Sequence, residues 1–232
     1  MPAPEAALLA SGDVHVKGRM PWSSNATFLV ELALDGATAL AVYKPERGER
    51  PLWDFPPGLY KREIAAYLLS EALGWGLVPL TIARDGPYGE GSFQLFVHAD
   101  FEQHFFTLVE NDARHDRLRR ICLFDLLANN ADRKSGHCLL GPDGVIYAID
   151  NGLTFHVDPK LRTVIWNFGG QPIPSALLDD VHRLCQAGLP SALQALLSGE
   201  ERRALTARAR AVLNAGRFPG DDRGHRYPWP PV

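Results

Sequence analysis

The sequence predicts an α+β chain of two lobes, strand-rich over residues 1–97 and helical over residues 98–218, with an irregular tail at 219–232. Three observations predict it. Two alternating β-rich runs, "TFLVELAL" and "ATALAVYKP", are joined by Asp35-Gly36, a hairpin signal. One long helical run, "LYKREIAAYLLSEALG", stands among the strands and is closed by Gly74. Beyond residue 100 the apolar period becomes helical, with Gly and Pro between runs. The binding site is expected in the cleft between the lobes.

In order, "DVHVKGRMP" alternates and leads into "WSSNA" before the hairpin. Leu40, Val42 and Lys44 share one face of its second strand. The Pro-rich loop "PERGERPLWDFPPG" precedes the helical run. "LVPLTIAR" and "GSFQLFVHADF" read as two more strands around "DGPYGEG". "HDRLRRICLFDLLANN" is helical, with Leu118, Ile121, Cys122 and Leu126 on one side. "HCLL" and "VIYAID" are short strands joined by "GPDG". "PSALLDDVHRLCQAG", "PSALQALLSG" and "EERRALTARARAVLNAG" complete the helices.

Composition excludes several classes. With 46% apolar and 22% charged residues in 232, the chain reads as globular. A net charge of −3 and a pI of about 6.2 carry no basic excess that would ask for nucleic acid. The three cysteines, Cys122, Cys138 and Cys185, sit in apolar runs without a C-x-x-C pair, as reduced thiols of a cytoplasmic protein do. No run approaches a membrane span, and the first residues lack the pattern of a signal peptide. No H-E-x-x-H or G-x-S-x-G element points to a zinc site or a serine hydrolase.

Lys44 ends an alternating strand, so its stem can lie on a buried face while its ammonium meets a nucleotide phosphate. Glu63 lies on the following helix between Leu59 and Tyr67, near the apolar face, placed to hold that lysine. Ser23, Ser24 and Asn25 lie between the first two strands, where small side chains and free N–H groups can cover phosphates. That stretch is neither G-x-G-x-x-G nor a Walker A motif. Asp132 follows a helix in "NNADRKSGH"; Asp150 follows the strand "VIYAI" at a sharp Asn-Gly turn. Phosphoryl transfer needs one carboxylate at the acceptor hydroxyl and another on Mg²⁺, and a hairpin can bring these two together. His137, five residues after Asp132, is a candidate metal or phosphate contact.

"AVYKP", "KREIAAYLLSEALGWGLVP", "GSFQLFV", "DLLANNADR" and "AIDNGLTF", in this order, resemble the phosphatidylinositol 3-/4-kinase-like superfamily of atypical kinases. The similarity runs from about residue 18 to 170 and is nearest type II phosphatidylinositol 4-kinases and bacterial, actinobacterial-type relatives; HipA-type kinases are more distant. The resemblance implies a two-lobe protein-kinase-like fold with Mg²⁺ or Mn²⁺ and ATP. Lys44 would contact the α/β-phosphates and Glu63 would pair with it. Gln94, Phe96 and Val97 of "QLFV" would form the inter-lobe hinge whose backbone meets adenine. Asp132 would be the catalytic aspartate, Asp150 the metal ligand and Asp125 structural. Where the family carries asparagine five residues after its catalytic aspartate, this chain carries His137, and imidazole suits softer metals better than Mg²⁺.

The sequence therefore reads as an ATP-dependent kinase acting on a hydroxyl: a protein Ser/Thr, a small polar molecule or, last, an inositol lipid. The lipid ranks last because the cysteine-rich palmitoylation segment of the eukaryotic lipid kinases is absent. Two alternatives share the fold: a nucleotide-binding pseudokinase or regulatory module, motivated by His137, and a nucleotidyl transferase.

Overall fold

The computed structural model describes residues 4–21, 23, 25–221, 224 and 226–231. Its main sheet is antiparallel, in the order β1-β2-β3-β5-β4. The strands are β1 Asp13–Arg19, β2 Phe28–Leu34, β3 Ala37–Pro45, β4 Thr81–Gly86 and β5 Gly89–Leu95. The β2–β3 turn has φ of 50° at Asp35 and 81° at Gly36. Positive φ at both central residues is what the type I′ turn demands and what Asp-Gly supplies.

One face of this sheet is covered by helix α1, Pro4–Ser11, which the sequence reading does not anticipate. Leu8 and Leu9 of α1 bury against Val30, Leu32, Ala41, Tyr43 and Phe93. On β3 the alternation therefore sends Ala41 and Tyr43 to the core, while Leu40, Val42 and Lys44 stay half-buried on the opposite face.

Helix α2, Leu59–Ala72, starts at Gly58, whose φ of 88° an L residue adopts only with strain. The Glu49 carboxylate accepts from the N–H of Gly58 at 2.9 Å and of Tyr60 at 2.7 Å, satisfying two of the free donors at the helix start. At the far end, Ser70 Oγ accepts from the N–H of Leu77 and Val78 and fixes the turn towards β4. Ala65, Ala66 and Leu69 of α2 share one continuous core with Ile121, Phe124 and Phe155 of the second half. The two lobes are thus joined through α2.

The second half contains α3 Phe105–Leu108, α4 His115–Ala128, the hairpin of β6 Cys138–Leu140 and β7 Ile146–Ala148, then α5 Ser175–Ala187, α6 Ser191–Leu196 and α7 Gly199–Ala215. Ser198 and Glu201 form a capping box at the start of α7. The described tail residues form no helix or strand but are docked. Thr163 N–H donates to the Arg226 carbonyl and Ser135 N–H to the Pro231 carbonyl, both at 2.9 Å. Among the described residues no helix is long and apolar enough to cross a membrane.

Candidate active site

Lys44 lies opposite Ser92, and Val42 opposite Gln94, so these four side chains share the sheet face away from α1. The backbones of β3 and β5 approach so closely here that a Cβ on Gly91 would lie 2.3 Å from the Lys44 carbonyl oxygen. Lys44 Nζ donates to Glu63 Oε1 and, at 2.8 Å, to Asp150 Oδ1. Glu63, only 2% exposed, also accepts the Asn151 N–H at 2.9 Å through Oε2. One helix carboxylate therefore ties the strand lysine to the loop bearing Asp150. Burial opposes the charge on Lys44, but Asp150 and Glu63 outweigh it and raise its pKa. The same ammonium, against some desolvation, holds the half-exposed Asp150 carboxyl well below the usual carboxylate range.

The Asp132 and Asp150 loops are held together by Arg133, which is wholly buried. Its Nε and Nη2 donate to the Asp125 carboxylate at 3.0–3.2 Å. Nη1 reaches the Ile149 carbonyl at 2.5 Å and Nη2 the Asn151 Oδ1 at 2.7 Å. Asn130 braces the same turn: its Nδ2 donates to Asp125 Oδ1 and its Oδ1 accepts the Asp132 N–H, each at 3.0 Å. Asn129 ends α4 with φ of 54° and reaches the carbonyls of His156 and Asp158. Asp150 itself has φ of 56°, a sparsely populated conformation that aims its carboxylate at Lys44.

Asp132 is partly exposed, its side chain at 28%. Burial pushes its carboxyl up to about 6, with Lys134 pulling down and Asp150 adding a smaller upward push. Lys134 Nζ stands 3.6 Å from Asp132 Oδ2, a cation the sequence reading passed over. Its only sequence signal is its place two residues after the aspartate.

His137 faces the same carboxylate as Lys44. Its Nδ1 accepts the Lys134 N–H at 3.2 Å, and its Nε2 lies 3.4 Å from Asp150 Oδ2. Burial holds its pKa down, at about 4, so the ring is neutral near pH 7. A neutral imidazole that accepts at Nδ1 carries its proton on Nε2. In this arrangement His137 turns its Nε2–H towards Asp150 at a separation long for a hydrogen bond, and metal ligation through Nε2 requires the other tautomer.

The remaining nucleotide-site candidates lie between β1 and β2 and on or just after β5. Ser23 Oγ bonds Thr27 Oγ1 at 2.7 Å, and Asn25 Oδ1 accepts the Arg50 N–H at 2.9 Å. Ser23 braces its own loop and Asn25 ties that loop to the one after β3; Ser24 lies outside the described residues. The Gln94 side chain is turned to Thr81 Oγ1 at 2.8 Å. The Phe96 N–H is taken by the Leu40 carbonyl at 3.0 Å, so only the carbonyl of Phe96 can meet a base edge. The Val97 carbonyl accepts the Ala99 N–H as the chain crosses into the second half.

Among the described residues no three His, Cys, Asp or Glu side chains converge as a protein-only metal cage. The half-exposed Asp150 carboxylate, with Asp132 near it, instead fits a hard cation that takes one or two carboxylates and completes its shell with phosphate and water.

No family model matches the chain. Protein Rv2133c of Mycobacterium tuberculosis is 43% identical over 264 residues, an alignment covering 97% of this chain and 95% of that protein. The chain belongs to the family of Rv2133c. Two solved structures are similar in fold. Hydra Fam20, solved with sugar, superposes with a TM-score of 0.53 at 17% identity, covering 93% of this chain and 89% of that one. The Helicobacter pylori proinflammatory kinase CtkA gives 0.52 at 12% identity, covering 90% and 94%. The fold is accordingly the two-lobe, protein-kinase-like one.

Proposed function

We propose that this chain is an ATP-dependent kinase of the phosphatidylinositol 3-/4-kinase-like type that phosphorylates a hydroxyl acceptor. The observation that carries the reading is the Lys44 ammonium held between Glu63 and Asp150, with Asp132 fixed beside them by Arg133. Lysine and helix glutamate in this relation position nucleotide phosphates, and the two loop carboxylates divide acceptor and metal roles. The kinase-like neighbours support the same reading through the fold.

Adenine enters between the Leu40, Val42 and Lys44 face of β3 and the hinge at residues 95–97. Lys44 contacts the α/β-phosphates. Asp150 would hold Mg²⁺ or Mn²⁺, which supplies charge neutralisation on the phosphates. Asp132 orients the acceptor hydroxyl and takes its proton as the oxygen bonds to Pγ. The bond between Pγ and the bridging oxygen then breaks and ADP leaves. Lys134 places a second positive charge on the acceptor side. The acceptor is a protein Ser/Thr or a small polar molecule ahead of an inositol lipid, and the setting is cytoplasmic.

The test is metal-dependent nucleotide binding. Calorimetry with a non-hydrolysable ATP analogue should show saturable binding with Mg²⁺ or Mn²⁺ that Asp150→Ala weakens strongly and Asp132→Ala leaves nearly intact. Equal binding by Asp150→Ala and the unaltered chain would remove Asp150 from the site.

A further inference from the structure

Two neighbouring residues of α2 point to opposite partners. Glu63 faces Lys44 and the Asn151 N–H. Arg62, 5% exposed, faces the far side of the segment that follows Asp150. Its Nη1 donates to the Thr154 carbonyl, and its Nη2 meets Glu201 Oε1 at 2.5 Å. Glu201 divides its carboxylate, since Oε2 accepts the Ser198 N–H at 2.8 Å in the α7 capping box. The Arg62 guanidinium also lies 5.4 Å from the centre of the Phe55 ring.

Further contacts run along the same line. Phe55 and Leu59 pack with Ala131 and Leu153, beside Asp132 and just past Asp150. Asp54 pairs with Lys160 at 2.9 Å. The stretch from 151 to 160 is therefore attached at Asn151, Leu153, Thr154 and Lys160 to α2 and the loop leading into it.

From this geometry we infer that Arg62 is a positioning residue: by joining α2 to the Thr154 carbonyl and to Glu201, it holds Glu63 and the Asp150 loop in their working arrangement. A guanidinium suits this place. Its planar fork serves a carbonyl and a carboxylate at once, which a lysine point charge does less well. The segment after Asp150 is then held to α2 by packing and the Arg62–Glu201 ion pair. A helix held in this way sets the Lys44–Glu63 relation before nucleotide arrives.

The catalytic consequence rests on the kinase reading; the structural one does not, and the experiment separates them. Arg62→Met, Arg62→Lys and Glu201→Gln are compared with the unaltered chain by amide hydrogen exchange, and by steady-state turnover well below the melting temperature. Arg62→Met should speed exchange in residues 59–72 and 150–160 while leaving the β1–β3 amides unchanged. It should lower kcat by about 10- to 100-fold with KM for the acceptor little altered, the signature of misplaced catalytic groups. Arg62→Lys should recover part of both, and Glu201→Gln should fall between. Exchange unchanged in 59–72 and 150–160, exchange raised equally throughout the chain, or kcat within about twofold of the unaltered chain would each overturn the inference. If the unaltered chain transfers no phosphate, the kinase reading fails, and the exchange pattern alone decides whether Arg62 is the clamp.

Discussion

Arg133 and Asp125 form an ion pair in which neither side chain reaches solvent. Asp125 lies near the end of α4, and Arg133 follows Asp132 directly. The remaining guanidinium donors go to the Ile149 carbonyl and Asn151 Oδ1, on either side of Asp150. One buried cation thus fixes the separation of the two carboxylates on which the chemistry depends. Burial raises the Asp125 carboxyl, opposed by Arg133, so the pair holds its charges only while both members are present.

Removing one member should therefore cost far more than a surface ion pair does. Arg133→Met leaves Asp125 buried without its partner and should destabilise the fold by about 3–5 kcal/mol in urea unfolding. A loss near that of an exposed pair, under about 1 kcal/mol, would show that the carboxylate finds another partner.

Asp132 should show its environment in its titration. With its folded pKa raised to about 6 by burial, it binds a proton that the unfolded chain has already released. Stability should fall as pH rises from the ordinary carboxylate range to about 6, then level off. Asp132→Asn should be the more stable protein near pH 7, with the difference vanishing in acid. In the metal-free protein, a carboxylate resonance of Asp132 titrating near the ordinary aspartate value would contradict this environment.

His137 separates a donor role from a ligand role. As a donor to Asp150 through Nε2 it can be replaced by glutamine, whose amide N–H reaches as far, but not by phenylalanine. His137→Phe should weaken metal-dependent nucleotide binding by about 10- to 100-fold, while His137→Gln keeps most of it. Nitrogen shifts of the ring should report the Nε2-protonated neutral form at pH 7. Equal losses in the two variants would remove the donor role.

Much of the fold was legible because its signals are local. Asp35-Gly36 declares its turn through φ alone, and Gly74 ends α2 with φ of 72°. The chain order of Lys44, Glu63, Asp132 and Asp150 was readable because each sits at the end or on the face of a strongly patterned element. Helix α1 escaped because its eight residues, "PEAALLAS", are too few and too uniformly apolar to show a helical period. Only the sheet surface against Leu8 and Leu9 makes it a helix. The bridging roles of Arg133 and Arg62 escaped for another reason: their partners lie apart from them in the chain, and no periodicity marks a donor that bridges two loops. The carbonyl bonds from Arg226 and Pro231 to Thr163 and Ser135 have no sequence signature.

Phosphoryl transfer from ATP is itself open to measurement. Its most direct test incubates the purified chain with Mg²⁺ or Mn²⁺ and candidate acceptors, in parallel with α- and γ-labelled ATP, beside an Asp132→Ala control. A kinase puts label on the acceptor from γ-labelled ATP only, releases ADP in equal amount, and loses both products in Asp132→Ala. Label arriving from the α-phosphate, or tight nucleotide binding with no γ-phosphate transferred under either metal, would contradict it.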